Sequence, residues 1–234
     1  PDVARPGTTG DRSCGDDGTS PVRGAAISVN AELELTAEQR QLQEAAVEFA
    51  RTGLQGDMIA RDRDQRFSRE DWLKCAQFGV QGMPIPQEHG GLGLGIVSLI
   101  AVMEGLGYGC RDSGLLFSLN AHLWTNSIPI LIYGSDDQRR KYLPGLCNGA
   151  LIGANGATEP DAGSDIFSLR TTARRDGDSY VLDGAKTFVT NAPVADLFVE
   201  AVEAIILASD DHEAQDRRQH EQALQLGEAP GRKA

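Results

Sequence analysis

The sequence predicts an α+β fold: an N-terminal all-α helical bundle, then a partial antiparallel β-barrel or sheet domain, then a polar, helical tail. Apolar residues up to residue 150 recur at helical spacing. Beyond Gly149, β-branched and aromatic residues stand between Asp-Gly turn pairs, a pattern typical of antiparallel strands. This change of period predicts a disordered extension over residues 1–30, a helical domain over 31–150, a partial β-domain over 151–199 and a separate tail over 200–234.

Composition and charge exclude several classes of protein. The 234 residues carry a formal net charge of −12, so no basic face for nucleic acid is indicated, and an anionic membrane surface would repel the chain. No apolar run approaches the length of a membrane span. We therefore expect no nucleic-acid partner and no membrane span.

The cysteines and histidines indicate a reducing compartment and no metal site. The cysteines lie far apart and form no C-x-x-C pair, which is typical of reduced thiols in a cytoplasmic protein. No histidine stands at ligand spacing from another His, a Cys or an acid, so no metal ligand is assigned. The residues concerned are Cys14, Cys75, Cys110, Cys147, His89, His122, His212 and His220.

The N-terminal extension is predicted to be disordered. Residues 1–26 are rich in Gly, Pro, Asp, Ser and Arg and almost free of large apolar side chains. Such a composition buries too little surface to offset the entropy of ordering.

Helix start and stop signals divide the region that follows. Thr36 and Gln39 fit a capping box, and Ser135–Gln138 fits a second one. Ser68 is the expected N-cap of another helix, which Gly79 ends.

The rest of the helical region alternates between loop and helix. Glycines and prolines make residues 81–95 an irregular loop. Residues 96–107 and 113–133 are predicted as helices, the second largely apolar and central. Pro144 and Gly145 are expected to interrupt the helix that follows Ser135.

The β-domain is predicted as an antiparallel meander. Residues 151–157 read as a strand of small apolar residues. Asp176-Gly177 and Asp183-Gly184 are hairpin signals, followed by residues 180–182 and 187–190 respectively.

Two segments of this region could carry chemistry, although each has a plain structural interpretation. Residues 158–165 are composed of turn-forming residues, but Gly163 and Ser164 could also present backbone amides to a pyrophosphate. In a strand, Phe188 and Thr190 would share one face, where they could stack on a flavin and hydrogen-bond its edge. An ordinary half-buried strand would show the same pattern.

Together the segments carry a resemblance to a known family. A helical region, a strand ending in T-E-P-x-A-G-S-D, and then G-x-K-x-F-V-T-N followed by A-D resemble the acyl-CoA dehydrogenases. The similarity runs from Leu33 to Val199 and includes the loop over residues 90–93 and the helix over 134–143. It implies the family's N-terminal helical domain and the opening of its middle β-domain.

The resemblance implies FAD as cofactor and a role for the strand that precedes residue 159. Thr158 would donate a hydrogen bond to the pyrimidine side of the isoalloxazine. Asn155 and Ala157 would lie beside the ring on the same strand.

Four further positions follow from the same resemblance. Gly163 and Ser164 would meet the ribityl and pyrophosphate region, and Ser164 would also bind the phosphopantetheine of the substrate. Phe188 would pack on the flavin ring, and Thr190 would hydrogen-bond near its N5 atom.

The reaction implied is the α,β-dehydrogenation of an acyl thioester, carried on coenzyme A or on a carrier protein, with an electron-accepting flavoprotein as a further partner. The base removes an α-proton and hydride passes to FAD, so the base must be a carboxylate poised near neutral pH. The acyl pocket could be walled by the helix around Leu116, Phe117 and Leu119, although core packing explains these residues equally well.

The tail after Val199 is not similar to the family, whose catalytic glutamate lies in a C-terminal four-helix domain. No catalytic residue is therefore assigned, and Glu200, Glu203 and Glu213 are given no role. The family's homo-oligomers form through that C-terminal domain, so none is expected here. We expect the chain alone to be inactive. A non-catalytic fragment that binds a partner, or a helical interaction module with an incidental motif, remain alternatives.

Overall fold

The computed structural model describes residues 34–177 and 179–201, together with the backbone of residues 225–228. The predictions for residues 1–30 and 202–224 lie outside this part of the chain. The helices are α1 (Ala37–Gly53), α2 (Met58–Arg63), α3 (Arg69–Phe78), α4 (Ile96–Gly109), α5 (Ser113–His122), α6 (Ile128–Tyr133) and α7 (Asp136–Cys147).

The predicted helix caps are confirmed. At α1 the Thr36 hydroxyl accepts from the Gln39 amide, and the Gln39 side chain accepts from the Thr36 amide. Ser135 caps α7 in the same way. Ser68 caps α3, which ends at Gly79 with a φ of 97°, a left-handed conformation that glycine adopts without strain.

Two apolar clusters hold the helices together. The larger cluster joins α1, α3, α4 and α5 around the fully buried Trp72, Leu99 and Leu106. The smaller one joins α6 and α7 to the sheet through Ile130, Leu143 and other residues. The fold therefore buries the start of the sheet against the helical region.

One long helical run crosses the structure from residue 113 to 133. It consists of α5, a π-helical turn over Leu123–Ser127 and α6. By length and hydropathy this run could span a membrane, so the prediction that no apolar run reaches that length is wrong. The run also buries Leu119, Leu123, His122 and Ile130 completely inside the protein. Such burial is typical of a core helix.

Helix α7 continues through Pro144 to Cys147, so the predicted interruption is wrong. A proline inside a helix removes one hydrogen bond. Here Leu143 and Leu146 on either side are fully buried. Their burial stabilises the last turn and outweighs the missing bond.

The helix-then-sheet order is confirmed, with short strands. They are β1 (Gly153–Gly156), β2 (Thr172–Asp176), β3 (Ser179–Asp183), β4 (Leu197–Glu200) and β5 (Gln225–Glu228). Strands β2 and β3 form the antiparallel hairpin that Asp176-Gly177 predicts. Strand β1 pairs in parallel with β4, with Gly153 opposite Leu197, and β5 adds antiparallel to β4.

One strand prediction and one helix prediction need correction. Residues 187–190 do not form a strand, because Phe188 has a φ of 54° and Asn191 one of 70°, and these left-handed residues turn the chain. The second hairpin of the meander is therefore wrong. The predicted helical tail does not hold at Gln225–Glu228, which are extended.

Candidate flavin site

The site is built at the carboxyl end of β1. The Asn155 side chain donates to the Thr125 carbonyl at 3.3 Å, which ties the strand to the π-turn. Ala157 and Thr158, just beyond the strand, are partly buried. These three residues therefore extend from the helical region toward the loop that contains the T-E-P sequence.

The second predicted segment returns to the first. The Thr187 amide donates to the Thr158 carbonyl at 2.9 Å. Phe188 follows with 90% of its surface exposed, and Thr190 is partly buried. The structure thus brings the two segments together, although Phe188 and Thr190 do not share a strand face as predicted.

Glu159 joins the two segments through a buried carboxylate. It accepts from the backbone amides of Arg170 at 2.7 Å and Thr171 at 2.9 Å, and from Lys186 Nζ at 2.9 Å. The Glu159 and Lys186 side chains are only 6% and 11% exposed. Lys186 also donates to the Ala201 carbonyl.

These contacts set the charge of Glu159. Burial acts to raise its pKa, but the hydrogen bonds from Thr171, Lys186 and Arg170 outweigh burial and lower the pKa from 4.5 to about 2. Glu159 is therefore a structural anion at neutral pH. A general base that works near pH 7 requires a raised pKa, whereas the pKa of Glu159 is lowered.

The Gly163-Ser164 turn is open. Both residues are exposed, and a Cβ placed on Gly163 would meet nothing within 4 Å. Within residues 34–177 and 179–201, the amides of Gly163 and Ser164 have no hydrogen-bond partner. Free amides on an open glycine turn fit the anionic pyrophosphate of FAD.

A cavity of about 830 Å³ opens beside Thr190 and Asn191. Its lining includes Arg61, whose guanidinium is held by Asp71 and, at 2.9 Å, by Asp112. The volume lies within the range of small-molecule sites.

Four residues in and around the site were given no role from the sequence. Three of them lie inside the two motifs, namely Glu159, Lys186 and Asn191. Their partners could not be read from the sequence, because the contacts depend on a chain reversal that no local pattern encodes. His122 lies on an apolar helix and is fully buried. Burial lowers its pKa from 6.5 to about 4, against the smaller effect of its bond to the Leu146 carbonyl.

Comparison with known proteins identifies the class. Residues 36–150 match the family model for the N-terminal domain of acyl-CoA dehydrogenases, and residues 154–228 match that for the middle domain. The chain belongs to the acyl-CoA dehydrogenase family, whose members are flavin oxidoreductases. The middle-domain match reaches residue 228, past the limit of the resemblance noted at Val199.

Among individual proteins, the chain is similar to two that are named for a prolyl carrier protein and to one that was solved with FAD and proline. It is 42% identical over 168 residues to an L-prolyl-[peptidyl-carrier protein] dehydrogenase of Serratia sp., covering 72% of this chain and 44% of that protein. The prolyl acyl carrier protein oxidase AnaB is 47% identical, with a TM-score of 0.68, over 71% of this chain and 44% of that one. PigA with FAD and proline is 42% identical, with a TM-score of 0.68, over 72% and 44%. The chain thus spans less than half the length of these relatives.

Proposed function

We propose that this chain provides the front half of an FAD site for the α,β-dehydrogenation of an acyl thioester. The observation that carries the proposal is the meeting of the T-E-P loop and the Lys186–Asn191 segment at the end of β1, beside an open glycine turn and an exposed aromatic ring. FAD would supply the hydride acceptor. The residues of this chain would bind and orient it.

The proposed contacts are those that the family resemblance implies. Thr158 offers a hydroxyl to the pyrimidine edge, and Thr190 offers one near N5. Phe188 covers the ring, which explains a large aromatic side chain left 90% exposed.

The remaining assignments concern the ends of the cofactor. Asn155 and Ala157 border the ring on β1. Gly163 and Ser164 hold the pyrophosphate, and Ser164 also meets the pantetheine of the thioester. These roles agree with the free amides of the turn.

The thioester is carried on coenzyme A or on a carrier protein. The similarity to prolyl-carrier-protein enzymes favours the carrier protein. An electron-accepting flavoprotein would reoxidise the cofactor. Cys75 and Cys147 are free and buried, which agrees with a cytoplasmic location.

We propose that the chain alone is inactive. The buried carboxylate of Glu159 in the T-E-P loop accepts hydrogen bonds from Lys186 and two backbone amides, and its pKa is about 2. It therefore cannot take an α-proton at neutral pH. The family's base is a glutamate of a C-terminal four-helix domain, and we assign that role to none of the described residues 34–177 and 179–201. A non-catalytic fragment that binds a partner protein is the alternative function.

FAD titration of the purified 234-residue chain tests the site. We expect FAD to bind, with quenching of its fluorescence. The affinity for FAD should fall about tenfold in Thr158→Val, because this variant loses one buried hydrogen bond. The matched control is Thr52→Val on α1, whose hydroxyl donates to the Glu48 carbonyl within the same helix. Absence of FAD binding by the wild-type chain, or equal weakening by both variants, would contradict the proposed site.

Anaerobic mixing tests the inactivity. The FAD-loaded chain is mixed with an acyl-CoA in one arm and with a prolyl-carrier protein in the other, and flavin absorbance is followed. We expect no bleaching in either arm. Bleaching in one arm would overturn the inactivity and identify the carrier.

A further inference from the structure

Gly153, the first residue of β1, is held at both ends of its backbone by side chains. Its N–H donates to His122 Nδ1 at 3.1 Å, and its carbonyl accepts from Asn191 Nδ2 at 3.0 Å. A Cβ on Gly153 would come within 2.7 Å of Asn126 Cγ, so the strand lies directly against the π-turn. The start of β1 is therefore fixed by side chains from two other segments.

His122 is oriented for this contact. Because Nδ1 accepts from Gly153, the proton lies on Nε2, which donates to the Leu146 carbonyl at 3.2 Å. The Trp72 ring meets the imidazole edge-on with centroids 5.0 Å apart, and Trp72 itself donates to the Gly149 carbonyl. A neutral imidazole provides one donor and one acceptor, and both are used.

Asn191 connects the same glycine to the segment proposed to face flavin N5. Its amide nitrogen donates to the Ser118 carbonyl at 3.2 Å as well as to Gly153, and its oxygen accepts from the Ser118 hydroxyl. Asn191 adopts a left-handed φ of 70°, which asparagine tolerates better than most residues. Thr190 is its immediate neighbour, so the position of Thr190 depends on these bonds.

We propose that His122 and Asn191 are positioning residues of the flavin site, which clamp Gly153 to α5 and so fix Thr158 relative to Thr190. The inference rests on the proposed function. His122 takes its hydrogen-bond donor from the first residue of β1, not from its own helix. An asparagine that only formed a turn would not bond both α5 and β1. We assign neither side chain a contact with the reacting atoms. Both act by holding β1 in place.

The first test measures the clamp in the full 234-residue chain without FAD. Amide hydrogen exchange is followed by NMR at Gly153 and at residues 155–158 and 190–191. His122→Leu removes donor and acceptor, and His122→Gln keeps one of each. We expect exchange at Gly153 to accelerate about tenfold or more in His122→Leu and to recover in His122→Gln. Unchanged exchange in His122→Leu would overturn the clamp.

The second test measures FAD affinity in the same variants. Val102→Ala, a fully buried site on α4, is the control for a general loss of stability. We expect FAD to bind about tenfold more weakly to His122→Leu, within about threefold of wild type to His122→Gln, and as wild type to Val102→Ala. The positioning role would be overturned if His122→Leu bound FAD as tightly as wild type. It would also be overturned if FAD affinity fell equally in Val102→Ala.

Asn191→Ser serves if His122→Leu does not fold, because it shortens the side chain on the other end of the Gly153 peptide. It is expected to raise exchange at Gly153 and weaken FAD in the same way, and wild-type behaviour in both measurements would count against the proposal. A wild-type chain that binds no FAD would overturn the proposed function, and the exchange measurements would still decide whether the clamp exists.

Discussion

Lys186→Met is expected to destabilise the protein by ~2 kcal/mol at neutral pH. Methionine keeps the unbranched length of lysine but removes the ammonium group, which leaves Glu159 with the amides of Arg170 and Thr171 as partners. Removing one member of a buried ion pair costs ~3–5 kcal/mol, because the other charge stays buried. The two remaining donors reduce this loss.

The pH dependence of that loss identifies its origin. The folded-state pKa of Glu159 is about 2, below its usual 4.5, so ionisation contributes stability above pH 4.5 that is lost as the pH falls toward 2. The whole shift corresponds to at most ~3 kcal/mol. In Lys186→Met the pKa moves back toward 4.5, so this variant loses less stability on acidification. The difference from wild type should therefore shrink between pH 7 and pH 3.

Urea unfolding followed by circular dichroism at both pH values measures the difference. The control is Arg140→Met, since the Arg140 and Asp137 side chains are 66% and 91% exposed and such a pair contributes ~0–0.5 kcal/mol. A gap between Lys186→Met and wild type that is the same at pH 7 and pH 3, or no larger than that of Arg140→Met, would refute the reasoning.

Two further predictions concern the helical region. In Gly105→Ala the new Cβ would lie 2.5 Å from the Gln43 carbonyl, so α1 and α4 must separate, and thermal unfolding should show a loss of ~1–3 kcal/mol; a stability equal to wild type would show that the helices yield freely. Trp72→Phe removes the bond to the Gly149 carbonyl and should lower the urea midpoint by the equivalent of ~1–3 kcal/mol, and an unchanged midpoint would show that water replaces the indole.

Features encoded by neighbouring residues could be predicted from the sequence, and features encoded by distant ones could not. The Thr36 and Ser135 caps depend on residues three positions apart, and both are present. The turn at Phe188 depends on the Thr158 carbonyl and on the Lys186–Glu159 pair, which are 27 or more residues apart in sequence. The β-branched and aromatic residues 187–190 therefore predict a strand, although their distant partners fold this segment into a turn.

The same distinction applies to the site. The motifs point to residues that a cofactor would touch, since Gly163, Ser164 and Thr158 are turn-forming or polar in the sequence itself. The residues that hold these groups in place are Glu159, Lys186, Asn191 and His122, and each acts through partners supplied by the fold. A sequence pattern can therefore indicate the cofactor while leaving its support unidentified.

Phe188 shows how the site combines strain with exposure. A φ of 54° is unfavourable for a bulky residue, by ~1–2 kcal/mol, and the exposed ring recovers little of this in the chain without cofactor. Phe188→Gly should therefore stabilise the cofactor-free chain by ~1 kcal/mol in urea unfolding, while it weakens FAD binding by removing the stacked ring.

Phe167→Gly is the matched control, because Phe167 is 89% exposed and has no positive φ. There glycine adds only backbone entropy to the unfolded chain, so stability should fall by ~0.5–1 kcal/mol and FAD affinity should not change. If Phe188→Gly instead destabilised the chain, the ring would have a packing role in the cofactor-free protein. If the two variants bound FAD equally well, Phe188 would not cover the flavin. A gain in stability with a loss of FAD affinity at Phe188, against a loss of stability with unchanged affinity at Phe167, is the result that a strained residue oriented for a ligand predicts.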